Sequence, residues 1–145
     1  MNEFDKFELN SLIKACDRMG SMFANSRALI ATGNGRSEKM RQTMLSYKNI
    51  FVHFYANVYG YGEVEDYIDK DNSEEYGRYI LSYAMVFSNP TNFASCLSQL
   101  KSNWSSVITV TQAMNNAGED DIVAERMNDM MMLTDAFVKL SSYKV

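Results

Sequence analysis

The stretch SEKMRQTMLSYKNIFVHFYANVY, residues 37–59, decides the fold class. Its large apolar side chains return at steps of three and four residues, which is the spacing of one face of an α-helix. Ser37 is the expected N-cap. This is the most aromatic helix of the chain, and we expect it to lie at the centre of the molecule. The apolar face consists of Met40, Met44, Tyr47, Phe51, Phe54, Tyr55 and Val58.

The same periodicity predicts four further helices. One precedes the aromatic helix over residues 3–31, where Gly20 marks either a close helix crossing or a kink, and Gly33 is a suitable C-cap. The next begins at Asn72 or Ser73. We expect its buried stripe to consist of Tyr76, Ile80, Tyr83 and Phe87.

The last two helices follow the sequence SNPTNF. Asn89 is the expected cap and Pro90 the first helical residue, where the missing N–H costs nothing. The run VITVT, residues 107–111, is β-branched and has some strand character, but the apolar stripe continues through it and predicts helix as far as residue 116. The last helix starts at residue 119, with three acids in its first turn that favour the helix dipole.

These patterns predict an all-α fold, a single-domain bundle of about five helices spanning residues 1–145. Apolar residues make up 46% of the chain, which is typical of a globular protein. Cys16 and Cys96 have no motif spacing and are expected to be small buried side chains in a reducing compartment. The high Asn and low Pro content resembles small proteins of A/T-rich genomes, such as those of phages and their hosts.

Charge and hydropathy indicate the expected cellular location and the class of partner. No signal peptide or membrane-spanning run is evident, so we expect a cytoplasmic protein, or a virion protein if it is phage-encoded. Residues 63–75 hold seven acids and one lysine, while the remainder holds 11 acids and 13 basic residues. Direct nucleic-acid binding is disfavoured because it needs clustered Lys and Arg. The acidity is instead one patch on a nearly neutral body.

Little in the sequence points to chemistry. His53 is the only histidine, and the helical spacing places it with Ser46, Asn49 and Asn57 opposite the aromatic stripe, where we expect it either to face solvent or to form a hydrogen bond. The calcium-loop pattern started at Asp69 fails, since its glycine and final glutamate positions hold other residues. We therefore assign no catalytic residue, cofactor or metal ligand.

The candidate site is the break after the aromatic helix, where tyrosines mix with acids. Tyrosine is enriched at protein interfaces, and carboxylates steer a basic partner towards them. We expect a small acidic protein-binding module: an adaptor, a virion or assembly component, or an inhibitor, of the kind that phages encode as accessory proteins. The expected partner-binding residues are Tyr59, Tyr61, Glu63, Glu65, Asp66, Tyr67, Asp69 and Asp71.

Three other interpretations remain open at this point. The acidic stretch can be a solvated loop that only keeps the protein soluble. The chain can be an enzyme or small-ligand carrier with a pocket between its aromatic helices. Finally, Met131 and Met132 lie partly off the apolar stripe of the last helix, and a Met-rich surface there is suited to self-association into a homo-oligomer.

Overall fold

The computed structural model describes residues 5–87, 90–118 and 122–141. Within these ranges the chain is helical and contains no strand, which confirms the all-α prediction. It has seven helical elements rather than five, because the first predicted helix is divided and the break contains a 3-10 helix. The elements are α1 (Lys6–Asn25), α2 (Arg27–Ala31), α3 (Arg36–Tyr59), the 3-10 helix (Tyr61–Tyr67), α4 (Ser73–Phe87), α5 (Pro90–Asn116) and α6 (Val123–Ser141).

Ser26, and not Gly20, divides the first predicted helix. The backbone of Ser26 leaves the helical region, and its hydroxyl accepts a hydrogen bond from the backbone N–H of Leu29 at 3.2 Å, which caps α2. Helix α1 continues through Gly20, where an added Cβ would lie 3.6 Å from the Cβ of Met44. Gly20 is therefore the close crossing of α1 and α3. Ile30, near the end of α2, is exposed.

Helix α3 is central, as predicted. It packs against α1, α2, the 3-10 helix and α4. Its N-cap is Gly35 in the left-handed conformation (φ 64°), so the prediction of Ser37 as the cap is wrong by two residues. Cys16 of α1 is buried in this core, whereas Cys96 of α5 is only half-buried.

Four aromatic rings join α3 to α5 and α6. The Phe137 ring lies 4.9 Å from the Tyr47 ring and 5.3 Å from the Phe51 ring, measured between centroids. Trp104 completes the cluster, 5.0 Å from Phe137, and its indole N–H donates to the Thr134 hydroxyl at 2.9 Å. These separations fall in the range preferred by aromatic pairs. The space between the three helices is therefore filled by packed rings.

The β-branched run in α5 is helical throughout, as the continuing stripe predicts. Val107 and Thr111 are both buried, and the Thr111 hydroxyl donates to the Val107 carbonyl oxygen at 2.9 Å, one turn earlier. Helix α5 begins at Pro90, as expected. The predicted Asn89 cap and the acids at residues 119–121 lie outside the described residues.

A cluster of charges fastens α1 to α6. The guanidinium of Arg18 donates to both carboxylate oxygens of Asp129, at 2.8 and 2.9 Å. Arg126 donates to the same carboxylate at 2.9 Å. At the other end of the two helices, the Lys139 ammonium donates to Glu8 at 2.7 Å. Asp129 is buried, so its two guanidinium partners neutralise a charge that has lost its hydration.

The predicted buried stripe of α4 is wrong. The relative exposure is 38% for Tyr76, 46% for Ile80 and 41% for Tyr83. Among the side chains of α4 that the structure describes, the buried ones are instead Tyr79 and Ser82. Helix α4 lies against the polar side of α3, and this contact covers only a narrow strip of a helix whose apolar arc is wide. The side chain of Phe87, the fourth residue of that stripe, lies outside the described residues.

Candidate partner-binding site

The acidic segment, residues 63–75, lies at the surface. Its first part forms the 3-10 helix, and the chain then turns into α4. Within the described residues, no basic side chain forms an ion pair with Glu63, Asp66 or Asp71; Glu65 faces Lys70 at 3.5 Å. The carboxylates expected to bind a partner are all exposed: Glu63, Glu65, Asp66, Asp69 and Asp71.

Three inward side chains hold the acidic segment against the body. Val64 and Ile68 are buried. Between them, the Tyr67 hydroxyl donates to the side-chain oxygen of Asn10 in α1 at 2.7 Å. Tyr67 was expected to belong to the exposed site, and the structure places it half-buried, as an anchor for the segment.

Side chains also organise the turn that leads into α4. Asp69 accepts a hydrogen bond from the backbone N–H of Asp71 at 3.0 Å, which is an Asx-turn. Asn72 accepts from the backbone N–H of Glu75 at 3.1 Å and thereby caps α4, as predicted. Asp69 therefore shapes the turn as well as presenting charge to solvent.

The two remaining tyrosines of the expected site, Tyr59 and Tyr61, lie on the surface and contact different residues. Tyr59 is 45% exposed, and its ring stacks on that of Tyr55 at 4.5 Å. Tyr61 is 40% exposed, and its ring meets that of Tyr83 from α4 at 5.6 Å, almost perpendicularly. The fold thus brings Tyr61 together with residues of α4 that the sequence pattern assigns to the core.

Tyr61 forms one wall of a shallow depression of about 260 Å³, which we call the aromatic cup. The Tyr79 ring stacks on the His53 ring at 3.9 Å, and the Tyr83 ring lies 5.4 Å from His53. The cup draws its residues from α3, the 3-10 helix and α4, so no local motif marks it. Its lining residues are His53, Tyr61, Tyr79, Ile80 and Tyr83.

His53 is fully buried. Of the two arrangements expected for it, exposure to solvent is wrong, and a hydrogen bond is confirmed. Its Nε2 lies 2.7 Å from the carbonyl oxygen of Tyr79. The reason is that α4 packs across the polar side of α3, which also buries Asn49. Burial lowers the pKa of His53 to about 4, against the opposing influence of the hydrogen bond to Tyr79. The imidazole is therefore neutral near pH 7, and its Nε2–H donates to the carbonyl.

We expect the protein to lose stability as the pH falls from about 6.5 to about 4. The unfolded chain binds a proton on His53 near pH 6.5, while the folded chain resists protonation down to a pKa of about 4. The unfolded state therefore gains protons first, and the contribution of His53 amounts to about 3 kcal/mol at full effect. Urea unfolding across this pH range measures it.

The matched variant is His53→Gln, whose side-chain amide can donate to the Tyr79 carbonyl but does not titrate. Its unfolding free energy should vary less with pH than that of the wild type between pH 6.5 and 4. Identical pH profiles for the two proteins would show that the histidine is not held neutral by its surroundings.

Neither a metal site nor a membrane span is evident in the part of the chain that the structure describes. Across residues 5–87, 90–118 and 122–141, no group of three or more His, Cys, Asp or Glu side chains is arranged to hold a metal ion. Over the same ranges, none of the helices combines the length and apolar character that crossing a membrane requires.

No match to this chain is found among protein-family models, curated proteins or solved structures.

Proposed function

We propose that the protein is a small acidic protein-binding module that captures a partner with a basic surface. The observation that carries the proposal is the acidic segment itself: six of its seven carboxylates are exposed, and the chain beneath them is anchored by Val64, Tyr67 and Ile68. Its roles would be those of an adaptor, an assembly component or an inhibitor. The proposed setting is the cytoplasm, or a virion if the chain is phage-encoded.

Electrostatics supports a basic partner. Residues 63–75 carry seven acids and one lysine, so the segment concentrates negative charge on a body that is otherwise close to neutral. Such a patch speeds the encounter with a positively charged surface and orients it. A protein that presents this patch can also occupy a nucleic-acid-binding groove of its partner, which is one route to inhibition.

The apolar surface beside the acidic segment supports a protein partner rather than a small ion. Tyr61 of the segment's 3-10 helix adjoins Ile80 and Tyr83 of α4, and Tyr76 and Leu81 are exposed on the same helix. Aromatic residues with polar tips, surrounded by charge, are typical of the anchor regions of interfaces. The proposed interface therefore combines a charged rim with an aromatic centre.

The alternative of an enzyme or small-ligand carrier has less support. It places a pocket between the aromatic helices α3 and α4, where a depression of about 310 Å³ lies beside Tyr47. The one charged residue that lines this depression, Arg78, is paired with Glu74 at 3.0 Å. The aromatic cup is shallow, and its single titratable imidazole is engaged with a backbone carbonyl. We keep the binding module as the proposed function.

The test is a variant that removes charge from the segment without changing its shape, with Glu65→Gln, Asp66→Asn, Asp69→Asn and Asp71→Asn combined. The amide oxygen introduced by Asp69→Asn can still accept the hydrogen bond of the Asx-turn. The partner is first captured from the native host and identified by mass spectrometry, and its affinity for each variant is then measured. We expect at least about a tenfold loss of affinity at low ionic strength and a smaller loss at high salt.

A matched control removes four acids elsewhere, with Asp17→Asn, Glu38→Gln, Glu125→Gln and Asp135→Asn. All four are exposed, so both variants change the formal charge of −4 to neutral while leaving the core intact. If the control loses as much affinity as the test variant, net charge and not the acidic segment governs capture. If neither variant loses affinity, the proposal is wrong.

A further inference from the structure

We propose that the aromatic cup is the subsite that receives an arginine side chain of the basic partner. The inference rests on the proposed function, since it assigns a ligand group to one part of the proposed interface. The cup has the composition, the size and the electrostatic surroundings that a guanidinium needs, and each of these can be traced to described residues.

The walls of the cup are aromatic faces. Tyr61 and Tyr83 meet at an interplanar angle of 78°, so their rings form a corner. The stacked pair of His53 and Tyr79 closes the inner side. A cation lying against such rings is attracted by the negative potential of their faces, and arginine is the cation most often found there. A corner of two tyrosines lets a planar guanidinium stack on one ring while it meets the other at its edge.

The helix that supplies Tyr61 to the cup is negative. The 3-10 helix Tyr61–Tyr67 also carries Glu63, Glu65 and Asp66, all of them exposed. Among the described residues, no Lys or Arg lines the depression. The two basic residues nearest in sequence each form an ion pair with an acid. Arg78 is paired with Glu74 at 3.0 Å, and Lys70 is paired with Glu65 at 3.5 Å. An incoming cation is therefore attracted by the carboxylates of this 3-10 helix and meets no Lys or Arg in the lining of the cup.

Arginine fits better than the two other occupants that such a cup could take. A leucine or phenylalanine would gain from burial but nothing from the surrounding carboxylates. A lysine would gain from the charge, but its compact ammonium is more strongly hydrated than a guanidinium and does not stack. The volume of about 260 Å³ suits the end of one long side chain rather than a whole helix.

The experiment uses three short capped peptides, Gly-Arg-Gly, Gly-citrulline-Gly and Gly-Lys-Gly, titrated into the full-length protein carrying isotope-labelled tyrosine. Citrulline has the shape of arginine and no charge. We expect the arginine peptide to shift the ring signals of Tyr61 and Tyr83, with an affinity at least about tenfold that of the citrulline peptide and severalfold that of the lysine peptide. Equal affinity for the arginine and citrulline peptides would overturn the inference.

Two variants of Tyr83 and a control variant test whether the arginine peptide binds at the aromatic cup. Tyr83→Ala should abolish the preference for arginine, while Tyr83→Phe, which keeps the ring, should retain it. Tyr83 is partly exposed, so folding is preserved in both variants and can be checked by circular dichroism. Phe7→Ala removes an even more exposed ring at the start of α1 and should change nothing. An arginine preference that survives Tyr83→Ala would show that the guanidinium binds elsewhere.

The outcome is separable from that of the proposed function. Suppose that neutralising the acidic segment weakens partner capture, while the arginine and citrulline peptides bind alike. The proposed protein-binding function would then be supported, and the inference of an arginine subsite in the cup would be wrong. If capture is indifferent to the segment but the arginine preference depends on Tyr83, the cup recognises guanidinium groups outside the proposed interface, and the proposed function falls.

Discussion

Replacing Asp129 by Ala is expected to lower the free energy of unfolding by about 3–5 kcal/mol, as measured by urea denaturation. The carboxylate is 8% exposed and receives hydrogen bonds from Arg18 and Arg126. Without it, the guanidinium of Arg126, which is 12% exposed, keeps its desolvation cost but loses its nearest counter-charge. Arg18 is 43% exposed and can recover part of its hydration, so most of the loss arises at Arg126.

Asp135→Ala is the matched control, because it removes an exposed carboxylate from the same helix. Its effect should stay within about 0.5 kcal/mol. Asp129→Asn keeps a hydrogen-bond acceptor without the charge and should fall between the two. If Asp129→Ala were no more destabilising than Asp135→Ala, the charge cluster would contribute nothing measurable to the contact of α1 with α6.

Phe137→Ala is expected to cost about 3–5 kcal/mol by the same measurement. The ring has three aromatic neighbours within 5.3 Å, namely Tyr47, Phe51 and Trp104. Its removal leaves a cavity where α3, α5 and α6 meet, and these large rings cannot collapse into it without losing their contacts with one another.

Val138→Ala provides the comparison, since residue 138 is the next in α6 and is 65% exposed. We expect a change of about 0.5 kcal/mol or less for this variant. Phe137→Leu refills most of the volume and should recover part of the loss. A loss below about 1 kcal/mol for Phe137→Ala, well under the usual cost of removing a buried ring, would mean that the four-ring cluster is not the main link between these helices.

Helical periodicity was sufficient to predict α3, α5 and α6. In α5 and α6 one apolar face is bounded by polar residues, so the pattern indicates which side is covered. The pattern gave only one covered side for α3, whereas residues 49–56 are buried on its polar side as well. Helix α4 differs, because Tyr76, Tyr79, Ile80, Leu81 and Tyr83 occupy most of its circumference. Its neighbours decide which of these are buried, and that choice depends on tertiary packing.

The candidate site was only partly predictable for the same reason. Exposure of the acids follows from their charge, because burying them without partners is costly. The aromatic cup does not follow from any local pattern, since His53, Tyr61 and Tyr83 come from three different elements. The burial of His53 likewise depends on α4, whose backbone carbonyl supplies the hydrogen-bond acceptor.

The hydrogen bond from Tyr67 to Asn10 also bears on how a partner would be met. Ordering one backbone residue costs about 1–2 kcal/mol of conformational entropy, and a loose acidic tail would have to meet that cost for every residue it contributes. In a segment that is already hydrogen-bonded to α1, this entropy cost is incurred during folding and not during binding. Recognition by such a preorganised surface should therefore proceed with little rearrangement of the chain, and more of the contact energy is left for affinity.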